Sequence, residues 1–142
     1  MEVIASPAIF TLQLVCCAIM VGVIWVIQLL HYPAFEQINS ADFVHFHRRH
    51  SRNISFIVMP VMLAEVVSGG LLILSISNRT LFVANFFGIL LLWICTFFFS
   101  VPLHNRLSQG SHVPTIQRLV LTNWPRTIIW TVRLVGLFAV SL

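Results

Sequence analysis

The stretch ADFVHFHRRHSRNISFIVMPVMLAE, residues 41–65, decides how this chain of 142 residues is read. It sets three histidines (His45, His47, His50) and three arginines (Arg48, Arg49, Arg52) directly before an apolar run, then places a carboxylate, Glu65, inside that run. Cluster, basic flank and acid are expected on one helix. An apolar helix with a cationic start suits a membrane boundary, and an acid within it needs a polar interior to face. The stretch thus predicts a polytopic membrane protein with a polar interior.

Composition points the same way. The chain is 58% hydrophobic and 8% charged, whereas a soluble domain carries about 25% charged residues. All its basic residues are arginine, so the net charge of +4 is a set of boundary cations. No nucleic-acid partner is expected from it; the expected partner is the lipid bilayer. Cys16, Cys17 and Cys95 lie in apolar runs without a CxxC pair and are expected to be packing residues. The first residues lack the basic n-region of a signal peptide, which predicts a retained first span.

A hydrocarbon core of about 30 Å takes roughly 20 apolar residues per helix. Four runs qualify, at about 7–30, 54–77, 81–103 and 124–142, with an amphipathic lead-in at about 41–53. Backbone groups cannot stay unpaired in lipid, so these runs must be helices. The expected fold class is an all-α integral membrane protein, one domain of four transmembrane helices in an up-down bundle. Residues 78–80 are expected to form a tight turn. Asn123 is a candidate N-cap for the last helix with Pro125 in its first turn, and Pro60 should kink the second helix. Small residues spaced i, i+4 at Ala18/Gly22, Ala64/Ser68 and Ala84/Gly88 would permit close helix approach. Arg48, Arg49 and Arg52 precede the second helix, Arg106, Arg118 and Arg126 lie between the third and fourth, and only Arg79 falls on the other side. The positive-inside rule then makes the two long loops cytoplasmic and puts both termini outside the cytoplasm of an inner membrane.

At 100° per residue each run gathers its polar residues onto one face. The faces are Gln13, Cys17, Gln28 and His31; His47, His50 and Glu65; Asn85, Thr96, Ser100 and His104; and Asn123, Arg126, Thr127, Trp130 and Arg133. All four should point inward, around a cavity that opens between the two long loops. Counting from Ile54, Glu65 lies roughly 16 Å deep, and Arg133 about 10 Å beyond Arg126, at 1.5 Å per residue. Each needs a partner, so Glu65–Arg133 is the expected intramembrane ion pair.

Two tiers of candidate chemistry result. His31, His47, His50 and His104 at the mouth are candidate ligands for iron, copper or haem, since imidazole suits these metals and bundles build such sites from facing helices. The plainer alternative is a set of interfacial anchors touching headgroups; His45 and His112 are expected on the surface. Glu65 is a candidate proton carrier or general base, or else one half of a structural ion pair. Arg126 and Arg133 are candidates for binding an anionic group of a cofactor or substrate, and Trp130 between them for stacking on a flat ligand.

The segments HYPAF (31–35), FVHFHRRHSRNI (43–54), PVMLAE (60–65), VPLHNRL (101–107) and NWPRTIIWTVR (123–133) resemble a set of small bacterial integral membrane proteins. More distantly, VPL followed by leucine, with the late Trp- and Arg-rich helix, is similar to the anthrone-oxygenase-like group of four-helix membrane proteins. That resemblance implies a four-helix membrane fold and, for some members, oxidation of polycyclic aromatic intermediates. It assigns no residue here, and the histidine-rich first loop departs from the group's pattern. Three functions stay open. One is a metal- or haem-dependent oxidoreductase acting on a hydrophobic small molecule such as a quinone or polycycle. The second is a small transporter or proton-coupled carrier subunit that switches at Glu65–Arg133. The third is a structural or accessory membrane protein. So small a bundle is compatible with a homo-oligomer.

Overall fold

The computed structural model describes residues 7–74 and 79–141, and among these every regular element is helical. Three helices are long and apolar enough to cross a membrane: α1 (Pro7–Gln37), α2 (Ser40–Leu72) and α3 (Arg79–Leu107). A fourth, α4 (Val113–Ser141), has 29 residues and carries Arg118, Arg126 and Arg133. Around the molecule α1 packs on α2 and α4, and α3 packs on the same two.

The lead-in and the second apolar run are one helix of 33 residues, as the 41–65 stretch suggests. Asn39 caps it, its side-chain oxygen accepting from the Ala41 N–H at 3.1 Å, and Asp42 stands in the first turn where the helix dipole favours an acid. Pro60 is carried inside without ending the helix. The helix stops at Leu72 rather than at residue 77. Of the turn expected at 78–80, Asn78 lies outside the described residues, while Arg79 and Thr80 already belong to α3.

The last helix begins eleven residues earlier than expected, at Val113 instead of 124. Asn123 is therefore not its N-cap, and Pro125 is interior. Asn123 sends its amide across to Gln28 instead of back to its own backbone. The cap role falls to His112, whose carbonyl accepts from the N–H groups of Thr115 and Ile116 and whose Nδ1 lies 2.7 Å from the Thr115 hydroxyl. Pro114 occupies the first-turn position for which proline's fixed φ is suited.

Two helices widen locally. α1 passes through a π turn at Ile27–His31 and α3 through one at Thr96–Ser100. Each ends two residues before a proline, Pro33 and Pro102. A proline inside a helix removes an N–H and presses its ring on the carbonyl four residues back, and a wider turn relieves that crowding.

The four polar faces do point inward: Gln13, Gln28, His47, Glu65, Asn85, Ser100, Asn123, Arg126, Thr127, Trp130 and Arg133 are all buried. The outer surface is apolar on every helix, including α4, where Leu121, Ile128, Val132, Val135 and Phe138 are exposed. His45 is exposed, and so is His112, as expected of surface residues. One apolar cluster, with Cys17, Met20, Met62, Leu92 and Trp130, surrounds the acid; a second, with Tyr32, Phe35, Phe43, Leu107 and Ile116, surrounds the histidines. A Cβ on Gly88 would come within 2.8 Å of the Arg133 side chain, so the missing side chain makes room for that arginine's stem. Gly22, by contrast, has nothing within 4 Å. The Ala18/Gly22 pair therefore does not mark a close approach at the glycine; Gly22 faces a groove.

Candidate functional site

The polar interior has three levels. At the deepest, Arg133 Nη2 donates to Glu65 Oε1 at 2.7 Å, and Trp130 Nε1 donates to the other carboxylate oxygen at 3.0 Å. Arg133 Nε also donates to Asn85 Oδ1 at 3.0 Å. The expected ion pair is thus present, and both carboxylate oxygens of Glu65 are occupied. Each oxygen thus has one donor, and the charge of the carboxylate is matched by the guanidinium. Trp130 is fully buried with its N–H spent on Glu65, so its ring offers no open face for a flat ligand.

The middle level is a neutral amide and hydroxyl network around one cation. Gln28 accepts from Asn123 Nδ2 at 2.9 Å and donates to the Val120 carbonyl at 3.1 Å. Arg126 Nη1 donates to Asn123 Oδ1 at 3.1 Å and to Ser100 Oγ at 3.0 Å. Its guanidinium carbon lies 5.4 Å from the Trp130 ring centre, a cation–π distance. Arg126 is a buried residue of α4 and not the loop cation expected from the sequence, which leaves Arg48, Arg49, Arg52, Arg106 and Arg118 as the exposed cations set against Arg79.

The histidines form the third level, and all four expected there are brought together. His47 Nε2 lies 2.9 Å from His104 Nδ1, and Tyr32 Oη lies 3.1 Å from His104 Nε2. His31 and His50 stack with ring centres 4.1 Å apart. Phe35, fully buried, stands at the centre: its ring is 5.3 Å from His50, 5.7 Å from His47 and 5.8 Å from His31. The imidazoles therefore stack on one another and meet Phe35 edge-to-face rather than aim at a common point. Both nitrogens of His104 are engaged, and among the described residues no group of three or more His, Cys, Asp or Glu is arranged to hold a metal ion. Buried ring nitrogens without a hydrogen-bond partner remain on His31 (Nε2), His47 (Nδ1) and His50 (Nε2).

Beside this level a groove of about 480 Å³ opens between α1 and α2. Gly22, Val26 and Ile57 form part of its apolar wall, and His31, His50, Arg49 and Asn53 its polar side. The sequence does not reveal Tyr32, Phe35 or the groove as parts of the site. Their only signal is HYPAF, where two aromatics flank a proline directly after His31.

The fold and site define a class: an all-helical protein with an apolar exterior, helices suited to a membrane, and a polar interior graded from an ion pair to a histidine cluster. No protein family, curated protein or solved structure matches the chain.

Proposed function

We propose that this chain is a four-helix integral membrane protein that binds a hydrophobic small molecule of the quinone or polycyclic phenol class in the groove between α1 and α2, head first against the histidines. The observation that carries this is the pairing of an apolar groove with two buried, unpartnered ring nitrogens, His31 Nε2 and His50 Nε2, at its polar side. A ligand with one apolar body and one oxygen-bearing edge matches both halves. An imidazole nitrogen can donate to a carbonyl or accept from a hydroxyl, so the same pair suits oxidised and reduced forms of such a ring. Resemblance to the anthrone-oxygenase-like group supports oxidation and reduction as the chemistry. If iron, copper or haem carries the electrons, the free nitrogens of His31, His47 and His50 are the ones left to hold it.

The test is equilibrium binding of a short-chain quinone and of a hydroxynaphthalene to detergent-purified protein, with metal content measured on the same sample. The expected result is saturable binding that falls at least tenfold in Ile57→Trp, which fills the groove, and in His50→Leu. Unchanged affinity in both variants rules the groove out. Bound quinone on a colourless, metal-free protein keeps the binding role and removes the metal.

The carrier alternative draws less support, because the deep acid is held by two donors, one of them the guanidinium that matches its charge. We infer the topology from the exposed arginines, five at the histidine end against Arg79, with α4 as a fourth span because its outer face is as apolar as the others. Both termini then lie outside the cytoplasm of the inner membrane. An alkaline phosphatase domain fused after Leu142 is expected to be active in intact cells. Activity confined to a cytoplasmic reporter at the same position reverses the orientation.

A further inference from the structure

Arg126 is a buried cation that lacks an anion. It is 5% exposed, and the ion pair found among the described residues, Arg133–Glu65, does not include it. Its Nη1 is fixed by Ser100 and Asn123, but its Nε has no acceptor. This side chain lines a second pocket, of about 200 Å³, mainly between α2 and α3. The same pocket contains Ser51, whose buried hydroxyl also has no partner, together with Tyr32 and His104. Its remaining wall is largely apolar, formed in part by Val58, Met59 and Val101.

An unpaired guanidinium in a low-dielectric interior is costly, and the cost falls sharply when an anion joins it. Here the guanidinium is already oriented, by two hydrogen bonds and by the Trp130 ring, so a ligand need not order it. Two free donors in one pocket, the Arg126 N–H and the Ser51 O–H, match the oxygens of a carboxylate or phosphate. We propose that the Arg126 pocket binds an oxyanion, a carboxylate or phosphate group, either free or carried on an apolar tail that lies along the Val58–Met59 wall. Ile27 and Ile54 border both this pocket and the quinone groove, but Arg126 and Ser51 line this one alone, so the variants that test it leave the groove's polar residues in place.

The experiment is calorimetric titration of the full chain in a neutral maltoside detergent with octanoate, 1-octanol, acetate and inorganic phosphate. Octanoate is expected to bind saturably while 1-octanol, which has the same tail without the charge, does not displace it. Arg126→Gln is expected to weaken octanoate at least tenfold, and Ser51→Phe, which fills the pocket and leaves the arginine in place, to do the same. Competition by acetate or phosphate at concentrations like those of octanoate supports the site and assigns it to a free anion. Competition only by tailed acids supports it and assigns it to a lipid-like one. Absence of saturable octanoate binding together with no acetate or phosphate binding overturns the proposal. So does equal binding of octanoate and 1-octanol, or a folded Ser51→Phe protein with parental affinity, even if Arg126→Gln fails to fold.

Discussion

Arg133→Leu is expected to destabilise the protein by about 3–5 kcal/mol, because it strands a buried carboxylate. Glu65 and Arg133 have side chains only 2% and 4% exposed, so neither charge can turn to solvent when its partner is removed. Asn85 would lose the donor it now accepts from, and Trp130 alone would be left to serve Glu65. Glu65→Gln is expected to be damaging for the converse reason, an arginine left in the interior without its carboxylate. The double variant Glu65→Gln/Arg133→Leu should recover much of the loss, since no buried charge then remains at that level and a neutral amide can still accept from Trp130. Thermal unfolding of the four proteins in detergent, followed by circular dichroism, measures this directly. Single variants that unfold within about 1 kcal/mol of the parent, a size common for any mutation, would show that the pair does not hold the bundle.

Phe35→Ala should cost a similar amount, about 3–5 kcal/mol, for a different cause. The ring is fully buried and touches other rings on every side: Tyr32, Phe43 and Phe46 besides the three histidines. Removing it leaves a cavity bordered by imidazoles, which then lose the surface that sets their tilt. The functional consequence is separable from the stability loss. Phe35→Leu keeps much of the apolar volume and should restore most of the stability, yet it provides no flat face for His47 and His50. Quinone binding is therefore expected to remain impaired in Phe35→Leu after folding has been recovered. A Phe35→Leu protein with parental affinity would show that the ring only fills space.

The parts of this architecture that sequence reveals are those for which chemistry leaves one choice. A glutamate and an arginine deep in apolar helices have little to meet except each other, and Glu65 with Arg133 shows it. Polar residues at helical spacing, such as Asn123, Thr127 and Trp130, have only the interior to face. Partnerships chosen among several near neighbours are not legible. Nothing in the spacing says that Trp130 serves Glu65 rather than a ligand, or that Asn123 reaches Gln28 rather than capping its own helix. His47 and His50, three residues apart, share a face in any helix, but the direction of each ring nitrogen depends on packing against Phe35, which arrives from another helix. The start of α4 is obscured because residues 113–123 mix polar and apolar side chains, and hydropathy alone places the boundary where the mixture ends. Prolines 33 and 102 are visible in the sequence, but the wide turns before them are not.

Those wide turns divide α1 and α3 each into two parts with independent phase. Each holds one more residue per turn of chain than an α-helix does, so the segment beyond it is set by the turn and not by the helix behind it. His31 and Tyr32 lie at the far end of one turn, and His104 comes after the other. Loss of a single residue within either turn, with closure to an α-helix, rotates the downstream segment by about 100° relative to the upstream one. Glu65 and Arg133 would keep their places, because their helices contain no widened turn, and so would Asn85, which precedes the one in α3. Single-residue deletions at these turns would thus re-aim His31, Tyr32 and His104 against a fixed His47 and His50, while the ion-paired end stays unchanged.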